Sequence, residues 1–311
     1  MNPPARLIAR LLARFWDSDF AYSFRRAPVA IVSFLVLVVC VGGAVFAPLL
    51  APYNPFDLAS LSLMDSFHPP AFMPDGDRTH LIGTDDQGRD MLSAIMYGTR
   101  ISIFVGLLAI GFALSVGITV GLVAGYMGGA VDAVLMRIAD VQLTFPAILI
   151  ALLVDGILRA ALPREFHDKM EIWVLIFAIG IARWPQFART VRGSTLVERG
   201  REYVMAAQVI GLSPRRIMIS HILPNVLGPV LVIATLNLGL AILDEATLSF
   251  LGVGLAPTEP SLGTLIRIGN NFLFSGEWWI TIFPGLMLAA MVLAINLLGD
   301  WLRDALNPRL R

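Results

Sequence analysis

The sequence predicts an all-α integral membrane protein with six transmembrane helices, and three observations carry that expectation. Of 311 residues, 57% are hydrophobic and only 15% charged, with a mean hydropathy of +0.75, too apolar for a domain whose solvent is water. Six runs approach the roughly 20 mostly apolar residues needed to cross about 30 Å of hydrocarbon: about 28–52, 99–126, 134–158, 172–190, 226–252 and 281–301. Finally, a formal net charge of zero hides an uneven distribution of arginine between alternate loops.

That distribution sets the expected orientation, because Lys and Arg in short loops favour the cytoplasmic side. Arg6, Arg10, Arg14, Arg25 and Arg26 precede the first run, Arg137 follows the second, a dense basic set from Arg183 to Arg216 follows the fourth, and Arg303, Arg309 and Arg311 close the chain. The other loops hold Arg78, Arg89, Arg159, Arg164, Lys169 and Arg267 beside Asp75, Asp77, Asp85, Asp86 and Asp90. Both termini are therefore expected in the cytoplasm. The expected organisation is a cytoplasmic leader over 1–27, a membrane anchor over 28–52, a periplasmic loop over 53–98, and a core over 99–311 with a cytoplasmic loop at about 191–224. The first run exceeds the 7–15-residue core of a signal peptide and sits behind a long basic leader, so it reads as an uncleaved anchor. Cys40, the lone cysteine, falls inside it and reads as packing.

The loop before the second run closes with "HLIGTDDQGRDMLSAIMYGTR". Thr84 or Asp85 is expected to cap a helix there, with acids favoured in its first turn. "DDQGRD" lacks the alternating acids and late Glu of a calcium loop, so no metal is assigned. The second run carries small residues every fourth position, Ala109, Ala113, Gly117, Gly121 and Gly125. This makes a flat stripe that a neighbouring helix can approach closely. Asp244 and Glu245 in "LAILDEATLSFLG" are the deepest charges, candidates with Asn237 for a translocation path, or else groups hydrated at the outer interface.

Catalytic motifs are absent. A phosphate-binding P-loop needs a lysine in GxxxxGK[ST], and Lys169, the only lysine, lies in "FHDKMEI". His68, His80, His167 and His221 stand apart without HExxH spacing, and no GxSxG occurs. An intramembrane aspartyl pair from Asp140 and Asp244 has nothing but burial to recommend it. The chain is expected to be no enzyme and to bind no cofactor, metal or nucleic acid.

The longest stretch that reads as a water-facing helical unit is "GREYVMAAQVIGLSPRRIMISHILPN", Gly200 to Asn225. Tyr203, Ala206, Ala207 and Ile210 fall at helical spacing on one narrow apolar face. Gly211 suits the left-handed residue past a helix end. Ser213 and Pro214 can start a second short helix, which Pro224 should end before the fifth run. A face centred on two alanines suits a groove in another protein better than a lipid surface, where bulky apolar residues prevail.

Ala206-Ala207, three residues, Gly211 and then "HILPN" resemble the EAA motif of ABC importer permeases. "GTDDQGRD", "DAVLMRIADVQLTFP", "LSFLGVG" with "PSLGTLI", and "GDWLRDALNP" extend the resemblance to the dipeptide/oligopeptide/nickel branch along nearly the whole chain. The motif's Glu is Met205 here, while Glu202 keeps an acid one turn earlier. The resemblance implies a type I (MetI-like) permease fold in the bacterial inner membrane. It also implies a homologous second permease, two ATPase subunits that use ATP and Mg, and a periplasmic or lipid-anchored substrate-binding protein. Glu202, Tyr203, Ala206, Ala207, Ile210, Gly211, Leu212, Ser213 and Arg215 would then form the ATPase-coupling loop, rocking about Gly211 as the ATPases close. Peptides are the expected cargo, with nickel, glutathione or another small solute as alternatives. A proton-driven secondary transporter working through Asp244 or Glu245, or a membrane scaffold, is the rival class. Secondary transporters usually carry inverted repeats and broken helices, and no internal repeat is evident.

Overall fold

In a bilayer a chain can satisfy its own backbone hydrogen bonds only as helices or a closed barrel, and these apolar runs take the first route. The computed structural model describes residues 19–55, 61–76, 78–163, 167–255 and 261–306. Most of the leader, with Arg6, Arg10 and Arg14, and the terminal Arg309 and Arg311 lie outside the described residues. A short α1 (Asp19–Arg25) leads into α2 (Pro28–Val45) and α3 (Ala47–Leu50). The bundle follows as α4 (Met91–Met127), α5 (Gly129–Leu143), α6 (Ala147–Ala161), α7 (His167–Arg199), α8 (Glu202–Val209), α9 (Pro214–Ile217) and α10 (Leu223–Phe250). It closes with α11 (Leu262–Asn270) and α12 (Trp279–Leu306). Five helical segments are individually long and apolar enough to span a membrane, and a sixth span exists if α5 and α6 count as one broken crossing.

The third apolar run is thus not the straight helix expected over 134–158. It breaks at Thr144–Phe145–Pro146, and α5 and α6 meet at 97°. Proline supplies the reason: it has no amide to donate, and its ring drives the preceding residue out of helical geometry. The second run starts earlier than expected, at Met91, and neither Thr84 nor Asp85 caps it. Asp90 does, its carboxylate accepting from the Ser93 amide at 2.8 Å and the Ser93 hydroxyl at 2.7 Å. Left-handed Gly83 and Gly88 fold "GTDDQGRD" into a tight turn that uses Asp85 differently. Its Oδ1 accepts from the amides of Gln87 and Arg89, both at 2.9 Å, while its Oδ2 pairs with Arg89 Nε at 2.6 Å. Trp279 donates to the Thr84 carbonyl at 3.0 Å, fastening the turn to the start of α12. Beside it, burial first and then the adjacent Asp85 push the Asp86 carboxyl above its usual range.

Pro224 does not end a helix either. A π turn over Met218–Ile222 joins α9 to α10 without a corner, and Pro224 sits in the first turn of α10, where a missing amide is harmless. Ser213 has the backbone geometry of a cap, but its side chain makes no capping bond.

Lipid tails are as apolar as leucine, so the helices hold together by close packing and by polar contacts rather than by exclusion of water. The small-residue stripe supplies the close packing, and its partner is α7 of the same chain. A Cβ on Gly117 would overlap the Phe187 Cβ, and one on Gly121 would lie 2.6 Å from the Ala188 carbonyl oxygen. Gly180 returns the favour from α7, lying against Phe112 and the Ala109 carbonyl. Buried side chains of α4, α6, α7, α8 and α10 form one core. A second joins α2, α4, α10, α11 and α12, and holds Cys40, whose Sγ lies 3.7 Å from Met287 Sδ.

Candidate functional site

The helix–corner–helix after α7 is built by backbone chemistry. Gly211 adopts φ 79°; its amide donates to the Gln208 carbonyl at 3.0 Å, and the Leu212 amide reaches back to the Ala207 carbonyl at 3.1 Å. These two bonds make a Schellman ending, which the left-handed glycine permits. Nothing lies within 4 Å of where a Gly211 Cβ would stand, so the need for glycine there is purely one of backbone angle.

Two side-chain contacts fix the unit to the bundle. Tyr203 donates from its hydroxyl to Glu198 at 2.6 Å, at the end of α7, and accepts from Asn225 Nδ2 at 3.1 Å. Partial burial, and then the Glu198 carboxylate, hold the Tyr203 phenol above its ordinary pKa. It therefore stays protonated, and a donor, across the physiological range. Val204 and Ala207, 0% and 3% exposed, are the inner face of α8.

The expected outward stripe is therefore rotated. Ala207 faces its own chain rather than outward, because Val204, one turn earlier, and Leu212 beyond the corner draw that side into the core. The exposed side carries Glu202, Met205, Ala206 and Val209, with Ile210 flanking it. Val209 is 88% and Ile210 74% exposed. Met205, which stands at the motif's Glu position, and Val209 are not assigned to this face by the sequence, because both faces of the short helix are apolar. Ser213 and Arg215 are exposed beyond the corner and Leu212 is half-buried.

Asp244 and Glu245, for which the sequence leaves both a translocation path and the outer interface open, have side-chain partners in the structure. Successive residues on a helix point about 100° apart, and α10 uses this to tie itself to two neighbours. Asp244 Oδ2 lies 2.6 Å from Arg183 of α7. Glu245, fully buried, accepts from the hydroxyl of Ser102 on α4 at 2.6 Å and from that of Ser249 at 2.9 Å. Asn237 is buried too, its Nδ2 donating to the Ile233 carbonyl at 3.0 Å while its Oδ1 finds no partner among the described residues. Asp140 and Asp244 are not brought together as an acid pair: Asp140 sits 3.7 Å from Arg189 at the surface. Among the described residues no cluster of three or more His, Cys, Asp or Glu could hold a metal.

Removing one member of a buried ion pair leaves a charge without compensation and costs about 3–5 kcal/mol, whereas replacing both members by apolar groups is often neutral. Arg183→Ala should accordingly lower the thermal midpoint of the purified protein sharply, and Arg183→Met with Asp244→Leu should restore it. Equal midpoints for the parent and Arg183→Ala would mean that the pair carries no weight.

A bundle of broken and unbroken membrane helices that buries the Arg183–Asp244 pair and displays one short, largely apolar helix before a glycine corner fits a membrane transport subunit. A solved chain of the MetNI methionine ABC transporter, in inward-facing conformations, shares the fold with a TM-score of 0.54 and 17% identity over 70% of this chain and 98% of that one. The chain belongs to the family of inner membrane components of binding-protein-dependent transport systems, which it matches over residues 117–311. Residues 14–70 match the N-terminal transmembrane domain of oligopeptide transport permease C. Among similar proteins, the dipeptide transport system permease protein DppC of Escherichia coli is 40% identical over 94% of this chain and 93% of its own length. The protein of that name from Haemophilus influenzae is 36% identical over 94% and 95%. The oligopeptide transport system permease protein OppC of Bacillus subtilis is 34% identical over 99% and 94%.

Proposed function

We propose that this chain is one of two permease subunits of an ATP-driven importer for di- or oligopeptides. The observation that carries the reading is the exposed apolar side of α8, Met205, Ala206, Val209 and Ile210, in a chain whose full-length relatives are named peptide permeases. It would dock on an ATPase subunit, since the chain has no P-loop lysine of its own. The remaining partners are a homologous permease, a second ATPase and a substrate-binding protein on the outer side. ATP and Mg act in the ATPases. Closure of those subunits would pull on α8, and Gly211 and the Tyr203 clasp would pass the movement to α7 and α10, a two-state coupling.

The proposed orientation places 1–27 and 191–224 in the cytoplasm, 28–52 as the anchor, 53–98 in the periplasm, and both termini inside. Asp75→Cys and Arg201→Cys, each in a Cys40→Ser background, should react with an impermeant thiol reagent from opposite sides. Labelling from one side overturns the six-crossing arrangement.

A broken helix is also a feature of proton-driven carriers, but here Asp244 is held by arginine and Glu245 by serine hydroxyls, Ser102 and Ser249 among them. The separating experiment is co-purification of the ATPases, followed by uptake of dipeptides, tripeptides, glutathione and nickel into vesicles holding the complex and its binding protein. ATP-dependent peptide uptake is the expected result. Uptake driven by a proton gradient without ATP, or of nickel alone, would replace the reading.

A further inference from the structure

Measured along α7, whose residues Met170–Arg199 form a candidate span, the break between α5 and α6 lies near the middle. Near the start of α5, Asp132 pairs with Arg192 through two contacts of 2.6 Å. Near the end of α6, Arg159 reaches Glu171 at 3.3 Å and the carbonyls of Val253 and Gly254 at 2.9 and 2.8 Å. At 1.5 Å per residue, Glu171 and Arg192 are about 31 Å apart along α7, which is close to the roughly 30 Å thickness of the hydrocarbon. Just before the break, Gln142 donates to the Ile181 carbonyl at 2.5 Å and accepts from Trp184 Nε1 at 3.1 Å, near halfway along that interval. The two ends of the broken segment are thus anchored at opposite levels. Of the two arrangements such a bent pair allows, a broken crossing or a re-entrant hairpin, this spacing favours the broken crossing.

At this depth the chain leaves backbone groups unpaired. Among the described residues, no hydrogen bond reaches the carbonyls of Leu143, Thr144 and Phe145 or the amides of Ala147 and Ile148. Thr144, Phe145 and Pro146 are exposed, Phe145 by 55%. Facing lipid, each orphan group would cost several kcal/mol, so irregular backbone at membrane depth persists only inside protein or beside water.

We infer that the Leu143–Ile148 break lines the water-filled translocation path and offers its free carbonyls and amides to the main chain of a passing peptide. A peptide carries the complementary groups at every residue, whatever its side chains, so main-chain recognition would suit a carrier of varied sequences. The inference rests on the peptide-importer reading for its ligand, and on the depth of the break for its place.

The test uses the complete complex in vesicles, with Cys40→Ser as background. Thr144→Cys and Phe145→Cys should react with a charged, water-soluble methanethiosulfonate, and a transported dipeptide supplied with the binding protein should suppress that reaction. Val39→Cys, on the exposed side of α2 at 71%, should react only with membrane-soluble N-ethylmaleimide. If Phe145→Cys behaves like Val39→Cys, or reacts with neither reagent, the break faces lipid or a subunit and the inference is overturned. Labelling without dipeptide protection, in a complex that imports the dipeptide, overturns the recognition. A complex that labels at both positions but imports no peptide sinks the substrate reading and leaves the lining intact.

Discussion

Gly121→Leu is expected to abolish the folded permease, while Gly111→Leu on the same helix should leave it intact. The Gly121 position is closed by backbone: an added Cβ would meet the Ala188 carbonyl oxygen at 2.6 Å and the Val191 Cβ at 2.6 Å. A carbonyl in a helix cannot rotate away, so α4 and α7 would have to separate along their contact. Even Gly121→Ala should cost about 1–3 kcal/mol by overpacking, more than the roughly 1 kcal/mol that alanine gains over glycine in a helix. Gly111 has nothing within 4 Å and is exposed, so there only the helix-propensity gain remains. Gly117→Leu should repeat the loss, since its Cβ would overlap Phe187 and lie 2.9 Å from the Trp184 carbonyl. The readout is monodispersity and thermal unfolding of the purified protein in detergent. Unfolding of Gly121→Leu at the same temperature as Gly111→Leu would show that the two helices can yield, and the close-packing account would fall.

This stripe was legible in the sequence because its period is that of one helix. Its partner was not, since nothing local to Gly117 or Gly121 points to Phe187 or Val191. The same divide runs through the rest of the molecule. Five long helices follow from apolar length alone, but the interruption at Pro146 is hidden by apolar residues on both sides, which make 134–158 read as one run. Arg183 and Asp244 are each visible as charges in apolar surroundings, yet their pairing belongs to the packing of α7 on α10. At "GTDDQGRD" three acids compete to cap α4, and the choice of Asp90 is made by the left-handed turn at Gly88, which spends Asp85 on its own amides. In α8 the hydrophobic pattern has little direction, so the face holding Ala206 and Ala207 together was placed about a quarter turn from the exposed one.

That quarter turn decides the second large effect. Val209→Asp and Ala206→Trp should uncouple ATP hydrolysis from uptake while leaving insertion and thermal stability unchanged. Glu202, Met205, Ala206 and Val209 follow helical spacing on the side opposite Val204 and Ala207, and an apolar side chain 88% exposed, as Val209 is, gains by being covered. A carboxylate at 209 would have to be desolvated in any apolar groove that received this helix, and a burial without a partner costs more than the contact can return. Tryptophan at 206 would hold the helix away from the groove by its bulk. Ala207→Trp should fail differently: with its Cβ turned toward the core, the indole would unseat α8 from the bundle and lower thermal stability before any partner is added. Gly211→Val should distort the corner through φ alone, at about 1–2 kcal/mol for a left-handed residue with a Cβ, and Gln208→Ala should be mild. Substrate-stimulated ATPase activity and peptide uptake in vesicles containing every subunit, read beside a melting curve of the permease, separate these outcomes. If Val209→Asp and Ala206→Trp couple as well as the parent, α8 does not dock by its exposed side, and the coupling surface must lie beyond the corner around Ser213 and Arg215.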